Sequence, residues 1–432
     1  MDFRRTRTWV VVGALWPVAL LNYLDRLMLT TMREPVVAAI PMTDAQFGLL
    51  TSVFLWVYGA LSPFGGFLAD RYGRRAVILG SLAVWSVVTW VTGQMVSLGG
   101  LLVARGLMGI SEACYLPAAL ALIADQHAGR TRSLATGLHF SGIYAGAALG
   151  GLGGVIAERF GWRSAFTLFG IVGLAYAPLL ALGLHDGAPA DEVAEGVEPS
   201  HGPGPPRDRP ALGEVLRDLA SEPCFWLLAA LNALVSLSNW VIYGWLPTYL
   251  RDRFALGLGA AGLSATGYLQ IASFVGSLAG GAWADAWTRT QPRARALVPA
   301  LGYFVAAPCL FLTASTGVLP AAISGLIAFG LGRGFYDANL MPLLRQVVAP
   351  RFSATAYGIL NFVGCVAGGL MIYAGGALRD AHVDLARVFQ AASLGLAVAA
   401  GLLLSVRHRP ARSIPARGLV TGRRAASREA PE

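Results

Sequence analysis

The chain alternates long apolar runs with short polar breaks. A helix needs about 20 mainly apolar residues to cross a bilayer. Segments of that kind run near 9–31, 46–69, 76–97, 100–124, 133–157 and 163–184. A second set runs near 223–249, 261–285, 295–315, 318–343, 354–378 and 387–406. The pattern predicts an all-α membrane protein of twelve transmembrane helices. Between the sets, residues 186–215 include Asp186-Gly187-Ala188-Pro189-Ala190-Asp191-Glu192 and Gly202-Pro203-Gly204-Pro205-Pro206-Arg207. That stretch reads as a flexible linker. The expected organisation is a six-helix bundle over 1–185, a linker over 186–220, a second six-helix bundle over 221–406, and an Arg-rich disordered tail over 407–432.

Composition agrees. The 432 residues are 55% hydrophobic and 13% charged, with mean hydropathy +0.58. A soluble protein carries roughly a quarter charged residues, so most of this chain faces something other than water. The 53 glycines suit helices packed closely in a membrane. The first apolar run, from Trp9 to about Leu21, continues into Asn22-Tyr23-Leu24-Asp25-Arg26 instead of small cleavage-site residues. It reads as a retained helix, not a signal peptide. Cys114, Cys224, Cys309 and Cys365 lie in apolar runs without metal spacing and read as free thiols.

Charge changes the picture by giving an orientation. The net charge is +9. Its arginines sit between apolar runs, as membrane-protein loops require, so nucleic-acid binding is not expected. With the N-terminus inside, the cytoplasmic connections hold Arg71, Arg74, Arg75, Arg130, Arg132, Arg207, Arg209, Arg289, Arg293, Arg295 and Arg351. The opposite side holds Arg33, Arg159, Arg163, Arg251, Arg253, Arg379 and Arg387. Both termini are predicted to be cytoplasmic, in a multi-pass protein of the cell inner membrane.

The chain also repeats itself. Gly66-Phe67-Leu68-Ala69-Asp70 recurs as Gly281-Ala282-Trp283-Ala284-Asp285. Glu112-Ala113 followed by Pro117 recurs as Asp337-Ala338 followed by Pro342. His139-Phe140-x-Gly142-x-x-Ala145-Gly146 recurs as Asn361-Phe362-x-Gly364-x-x-Ala367-Gly368. The offsets are 281−66=215, 337−112=225 and 361−139=222. Helices 2, 4 and 5 are thus in register with helices 8, 10 and 11. Parallel repeats of this kind place a solute site at the midplane between two pseudo-symmetric halves.

The first loop motif is Gly66-Phe67-Leu68-Ala69-Asp70-Arg71-Tyr72-Gly73-Arg74-Arg75, at the end of helix 2. Its glycines permit a tight turn and close approach of a neighbouring helix. Asp70 could accept from a helix N-terminus or pair with an arginine, forming a latch. Gly66, Asp70, Arg71, Gly73, Arg74 and the repeat partner Asp285 are the candidate gating residues. This motif resembles the signature loop of the major facilitator superfamily. The resemblance covers nearly the whole chain, and Gly161-Trp162-Arg163 before helix 6 also fits it. It implies the major facilitator fold of two six-helix bundles.

Within that superfamily, Asn22-Tyr23-Leu24-Asp25-Arg26 and Arg105-Gly106-Leu107-Met108-Gly109-Ile110-Ser111-Glu112-Ala113 look like the anion:cation symporter family and the related Spinster-like proteins. Ala113-Cys114-Tyr115 leans towards Spinster, and Leu116-Pro117-Ala118-Ala119 towards the anion symporters.

The buried charges can be read without the family. An ionisable group inside a membrane helix costs about 2.5–3.5 kcal/mol on insertion scales and marks function by default. Asp25 and Arg26 lie inside helix 1. Arg105 and Glu112 are two turns apart on one face of helix 4, roughly 10 Å along its axis. These four could alternate around a cavity and bind an anion and a proton together. The other reading is two static buried ion pairs. The resemblance favours proton coupling through Asp25 and Glu112 and anion contact through Arg26 and Arg105.

Other polar groups complete the candidate set. His139 and Asn361 are repeat-equivalent. The anion symporters commonly carry Asn at the helix 5 position, so His139 departs from them. It reads as a titrating group or as a hydrogen-bonded packing residue. Tyr23, Tyr243 and Asn239 are candidate donors to substrate. Arg333 and Asp337 stand i,i+4 in helix 10 and can pair, which reads as a structural or gating contact. No phosphate loop, nucleophilic triad or metal cluster appears in the sequence, so no cofactor and no enzymatic activity are expected.

The leading expectation is a monomeric, proton-coupled symporter of a small organic anion, such as a sugar acid or hexuronate. The alternative is a Spinster-like exporter of lysophospholipid or another amphiphile. A third class, a sensor or scaffold, is disfavoured by the intact charge set.

Overall fold

A computed structural model describes residues 3–127, 132–184, 217–348 and 353–406, without the side chains of residues 3–7, 66, 70, 124, 132, 133, 353 and 354. The predicted tail and most of the predicted linker lie outside the described residues. Among the described residues, twelve helices are long and apolar enough to cross a membrane. They are α1 (Thr8–Thr31), α2 (Asp44–Ala69), α3 (Arg74–Thr92), α4 (Leu98–Ile123), α5 (Leu134–Phe160), α6 (Trp162–Gly183), α7 (Pro223–Phe254), α8 (Leu258–Thr288), α9 (Ala294–Ser315), α10 (Leu319–Val347), α11 (Thr355–Asp380) and α12 (Leu385–Ser405). No strand occurs among the described residues. Val84, Leu107, Ile171, Ile271 and Leu394 are exposed on the outer surface, as helices bathed in lipid require.

Three local features depart from a run of simple spans. A short helix, Arg33–Ala39, separates α1 from α2. Pro35 in its first turn has no N–H to lose there, which favours a helix start. The helix of α4 breaks at Cys114 and resumes at Tyr115. Pro117 removes the bond its N–H would make to Ala113, and Gly65 of α2 packs against the Ala113 carbonyl. Turns at Gly150 and Gly151 interrupt α5, and Thr31 donates to the Gly150 carbonyl at 3.2 Å.

We refer to the end carrying the α1–α2 connection as the Asp44 end. The opposite end, carrying the α2–α3 connection, is the Arg74 end. The halves join chiefly where α2 packs along α11 and α5 along α8. Both contacts are backbone-close. A β-carbon on Gly48 would lie 2.8 Å from the Ile372 oxygen, and one on Gly151 would lie 2.7 Å from the Gly262 carbonyl carbon. Side-chain hydroxyls bridge the same crossings. Ser52 donates to the Gly369 carbonyl at 2.6 Å, and Thr266 to that of Ala148 at 2.8 Å.

The repeat explains why these contacts come in pairs. Asp380, ending α11, accepts from the backbone N–H groups of Asp44 and Ala45 at 2.8 Å each. Glu158, near the end of α5, accepts from the Gly259 N–H at 3.2 Å. The offsets are 380−158=222 and 259−44=215, the same as those of the sequence repeats on these helices. One carboxylate-to-helix-start contact is therefore made twice, each time between opposite halves.

Candidate functional site

The four buried charges of the first half converge. Arg26 Nε donates to Glu112 Oε2 at 2.7 Å, joining α1 to α4. Asp25 accepts from the Thr89 hydroxyl of α3 at 3.1 Å. Arg105 Nε reaches the Leu50 carbonyl of α2 at 3.3 Å, and its Nη1 lies 3.1 Å from Met108 Sδ. The expected alternation is thus half present. Arg26 and Glu112 pair, while Asp25 and Arg105 each turn to a neutral group on another helix.

Aromatic rings close over the set. The Arg26 guanidinium lies 4.3 Å from the Tyr58 ring centre, 4.6 Å from Tyr23 and 5.1 Å from Phe54. Arg105 lies 4.8 Å from Phe54. Such faces attract cations electrostatically. Asp25, Arg26, Arg105 and Glu112 are 2%, 4%, 1% and 0% exposed. They are shielded, not spread along an open wall. Asp25 Oδ1, Glu112 Oε1 and Arg105 Nη2 have no hydrogen-bond partner among the described residues.

The remaining candidates separate into different places. His139 is fully buried between Tyr115 and Phe140, with ring centroids 5.9 and 6.3 Å away, and neither nitrogen has a hydrogen-bond partner among the described residues. Asn361, its repeat equivalent, is half-buried. Asn239 is buried, and its Oδ1 has no hydrogen-bond partner among the described residues. Tyr243 lies under the Arg333 guanidinium at 4.8 Å, so it joins a polar group of the second half. That group holds Arg333 and Asp337, 3.4 Å apart, Gln270, 3.3 Å from Arg333 Nη1, and Tyr144 of α5, which donates to Asp337 at 3.4 Å.

At the Arg74 end, Gly73 sits at φ +87°, a conformation that suits glycine between α2 and α3. Arg74 donates to the Ala121 carbonyl at 2.8 Å and pairs with Asp125. Arg75 donates to the Ala181 carbonyl at 2.8 Å. The loop is therefore stapled to α4 and α6 of its own half. Arg71 is exposed beside Tyr72. Asp285 pairs with Arg295 at 2.7 Å inside the second half. The side chain of Asp70, and with it the expected latch, lies outside the described residues, as does that of position 66.

The Asp44 end carries charges of which the sequence reading uses only the arginines, as orientation markers. Arg379 pairs with Asp44 at 3.3 Å and with Asp252 at 2.7 Å. Glu34 pairs with Arg251 across the halves, and Arg33 with Asp44. Burial, with Arg379 nearby, pushes the Arg33 guanidinium down to about 10, so it stays charged at neutral pH. A cavity of about 490 Å³ lies at this end, lined in part by Arg33, Glu34, Thr248, Arg251 and Arg379. A signal was available: Arg33-Glu34 recurs as Arg251-Asp252, at offset 251−33=218.

Twelve apolar spans in two repeats, with charges buried among them, define a polytopic membrane protein of the transporter class. The chain belongs to the Major Facilitator Superfamily, whose family model matches residues 15–372. It is 30% identical over 371 residues to "Protein spinster homolog 1" of Homo sapiens, covering 81% of this chain and 69% of that one. It is 26% identical over 371 residues to "Probable anion transporter 4, chloroplastic" of Oryza sativa subsp. japonica. That match covers 84% of this chain but spans only 62% of the rice protein's length. Among solved structures it resembles a bacterial homologue of the human lysosomal transporter Spinster, in an inward-facing and occupied conformation. The TM-score is 0.75 at 21% identity, covering 92% of this chain and 96% of the other. That likeness establishes the fold.

Proposed function

We propose that the chain is a secondary active transporter of a small organic anion, driven by protons through alternating access. The observation that carries the reading is the 2.7 Å bond between Arg26 and Glu112, buried beside two further charges with unpartnered atoms. Removing one partner of a buried pair costs about 3–5 kcal/mol, because the other charge is left uncompensated. A proton on Glu112 alone would strand Arg26. An anion on Arg26 alone would strand Glu112. Both together leave no net charge, so each ligand favours the other. Asp25 and Arg105 extend the same balance to a second carboxylate and a second guanidinium. The likeness to a relative named as an anion transporter supports the substrate class.

The arginine asymmetry supports an inner-membrane protein with both termini in the cytoplasm. The Asp44 end is then the outer one. Its bonds between the halves hold that side shut in this conformation. Asp70 and the loop around it belong to the cytoplasmic gate.

A second reading is favoured by the 30% identity to the Spinster homologue: export of a lysophospholipid or similar amphiphile. Uptake into proteoliposomes under an imposed pH gradient separates the two. Accumulation of a sugar acid or hexuronate supports the symporter. Movement of a lysophospholipid, with no small carboxylate taken up, overturns it.

A further inference from the structure

The polar group on α10 has a geometry that the first-half charges lack. Arg333 is oriented from two sides: Tyr243 of α7 lies under its plane at 4.8 Å and Gln270 of α8 is 3.3 Å from Nη1, while Asp337 stands 3.4 Å from Nε, which makes no hydrogen bond among the described residues. The guanidinium is oriented, yet its ion pair is loose. Charge-assisted N–H···O bonds run at about 2.7–2.9 Å, and Arg26–Glu112, Arg295–Asp285 and Arg379–Asp252 are all 2.7 Å. The side chains of Arg333 and Asp337 are 15% and 31% exposed, against 4% and 0% for Arg26 and Glu112. The pair also lies where the halves meet, because the Tyr144 hydroxyl from α5 reaches Asp337.

The repeat makes the comparison direct. Asp337 occupies the second half's equivalent of Glu112, at offset 225. The first half answers its carboxylate with a short bond from another helix. The second half answers with a 3.4 Å ion pair from the same helix that is not a hydrogen bond, and leaves the pair partly exposed. A cation that is positioned, weakly paired and accessible can exchange its carboxylate for another at low cost. Its planar fork suits bidentate capture of one.

We propose that Arg333 is the second half's contact for the carboxylate of the transported anion, which displaces Asp337 from it. This rests on the organic-anion reading above and adds which second-half residue receives the carboxylate. In this conformation Arg26 and Arg105 are covered, and Arg333 is the more exposed guanidinium. Tyr144 and Tyr243 flank the landing site. Release of Asp337 leaves that carboxylate held by the Tyr144 hydroxyl alone, which ties substrate binding to the contact between the halves.

The test is equilibrium binding to full-length protein in lipid nanodiscs. The probes are D-gluconate, D-glucuronate, D-galacturonate and uncharged D-glucuronamide. Arg333→Gln should weaken carboxylate binding about 10- to 150-fold, the loss expected for a charged hydrogen bond, and leave glucuronamide within about twofold. Arg333→Lys should fall between, since it keeps charge but not the fork. Asp337→Asn should strengthen carboxylate binding by removing the competitor. If wild type binds a carboxylate and Arg333→Gln binds it equally, the assignment is wrong and the anion reading stands. If wild type binds none of the three acids, both fall. If Arg333→Gln does not fold, Asp337→Asn decides: tighter binding supports the site, and unchanged or weaker binding overturns it.

Discussion

Asp380 places both carboxylate oxygens on the start of α2, accepting from Asp44 and Ala45 at 2.8 Å from the opposite half of the protein. A carboxylate at a helix N-terminus contributes about 0.3–1 kcal/mol, and up to about 2 when partly buried. Glu158 does the same for α8 at Gly259. Asp380→Asn should therefore loosen the Asp44 end by about 1–2 kcal/mol, or roughly 5- to 30-fold in its open population. Glu158→Gln should do so by less, since its single bond is longer. The two sites lie on different helix pairs, so the double variant should be near additive. The alkylation rate of Thr248→Cys, which lines the cavity at that end, reads the open population. Unchanged rates in the double variant would show that the contacts do not hold the end closed.

The two glycine crossings offer a steric test of the same closure. A methyl group on Gly48 would stand 2.8 Å from the Ile372 oxygen, a backbone atom that cannot rotate away. Gly151 faces the backbone of Gly262 and Leu263 in the same manner. Gly48→Ala and Gly151→Ala should each destabilise the conformation closed at the Asp44 end, by about 1–3 kcal/mol for forced overpacking. Transport should slow, with faster Thr248→Cys alkylation. Gly80, with nothing within 4 Å of an added β-carbon, is the control, and Gly80→Ala should be neutral. Equal effects at all three positions would count against a specific crossing.

Orientation can be checked independently. Ser97 caps the start of α4 by accepting from Gly100 at 3.2 Å, at the Asp44 end. With the N-terminus inside, a cysteine at Ser97 in a cysteine-free background should react with an impermeant maleimide on intact cells. A cysteine at Tyr72, exposed at the other end, should react only after permeabilisation. The reverse pattern would invert the topology.

The spans and the repeat were legible because each is written in many residues at once. Twenty apolar positions, or three motifs in the same order at offsets of 215 to 225, survive local noise. The four first-half charges were legible because a charge inside an apolar run has no other excuse. Their partners were not. Whether Asp25 meets Arg105 or Thr89 depends on helix rotation, which spacing along one helix leaves open. His139 shows the same limit: its sequence position is equivalent to Asn361, yet it packs among aromatic rings. The closure at the Asp44 end was missed for another reason. Its charges sit at span ends, where the arginines read only as an orientation signal, and the repeat of Arg33-Glu34 in Arg251-Asp252 is two residues long. Such a match gains meaning only once the ends are seen to touch.

The last prediction concerns coupling. Glu112 holds Arg26 at 2.7 Å and is fully buried. Glu112→Gln imitates the protonated carboxyl in shape and charge, so Arg26 permanently lacks its counter-charge. The site should then favour anion binding without any proton. Such a variant should bind the substrate anion at least as tightly as wild type and exchange it across the membrane. If Glu112 carries the coupling proton as proposed, the variant should not accumulate anion on a pH gradient, because that group is gone. Asp25→Asn should behave alike if Asp25 shares the proton. It should abolish transport if Asp25 instead serves to orient the helices through Thr89. Arg105→Gln removes a fixed charge and should cost about 1.5–3 kcal/mol in anion affinity, with little loss for a neutral analogue of equal size. Counterflow and gradient-driven uptake in proteoliposomes, measured side by side, separate exchange from accumulation. A Glu112→Gln protein that still concentrates substrate on a proton gradient would remove Glu112 from the proton path, whatever the substrate proves to be.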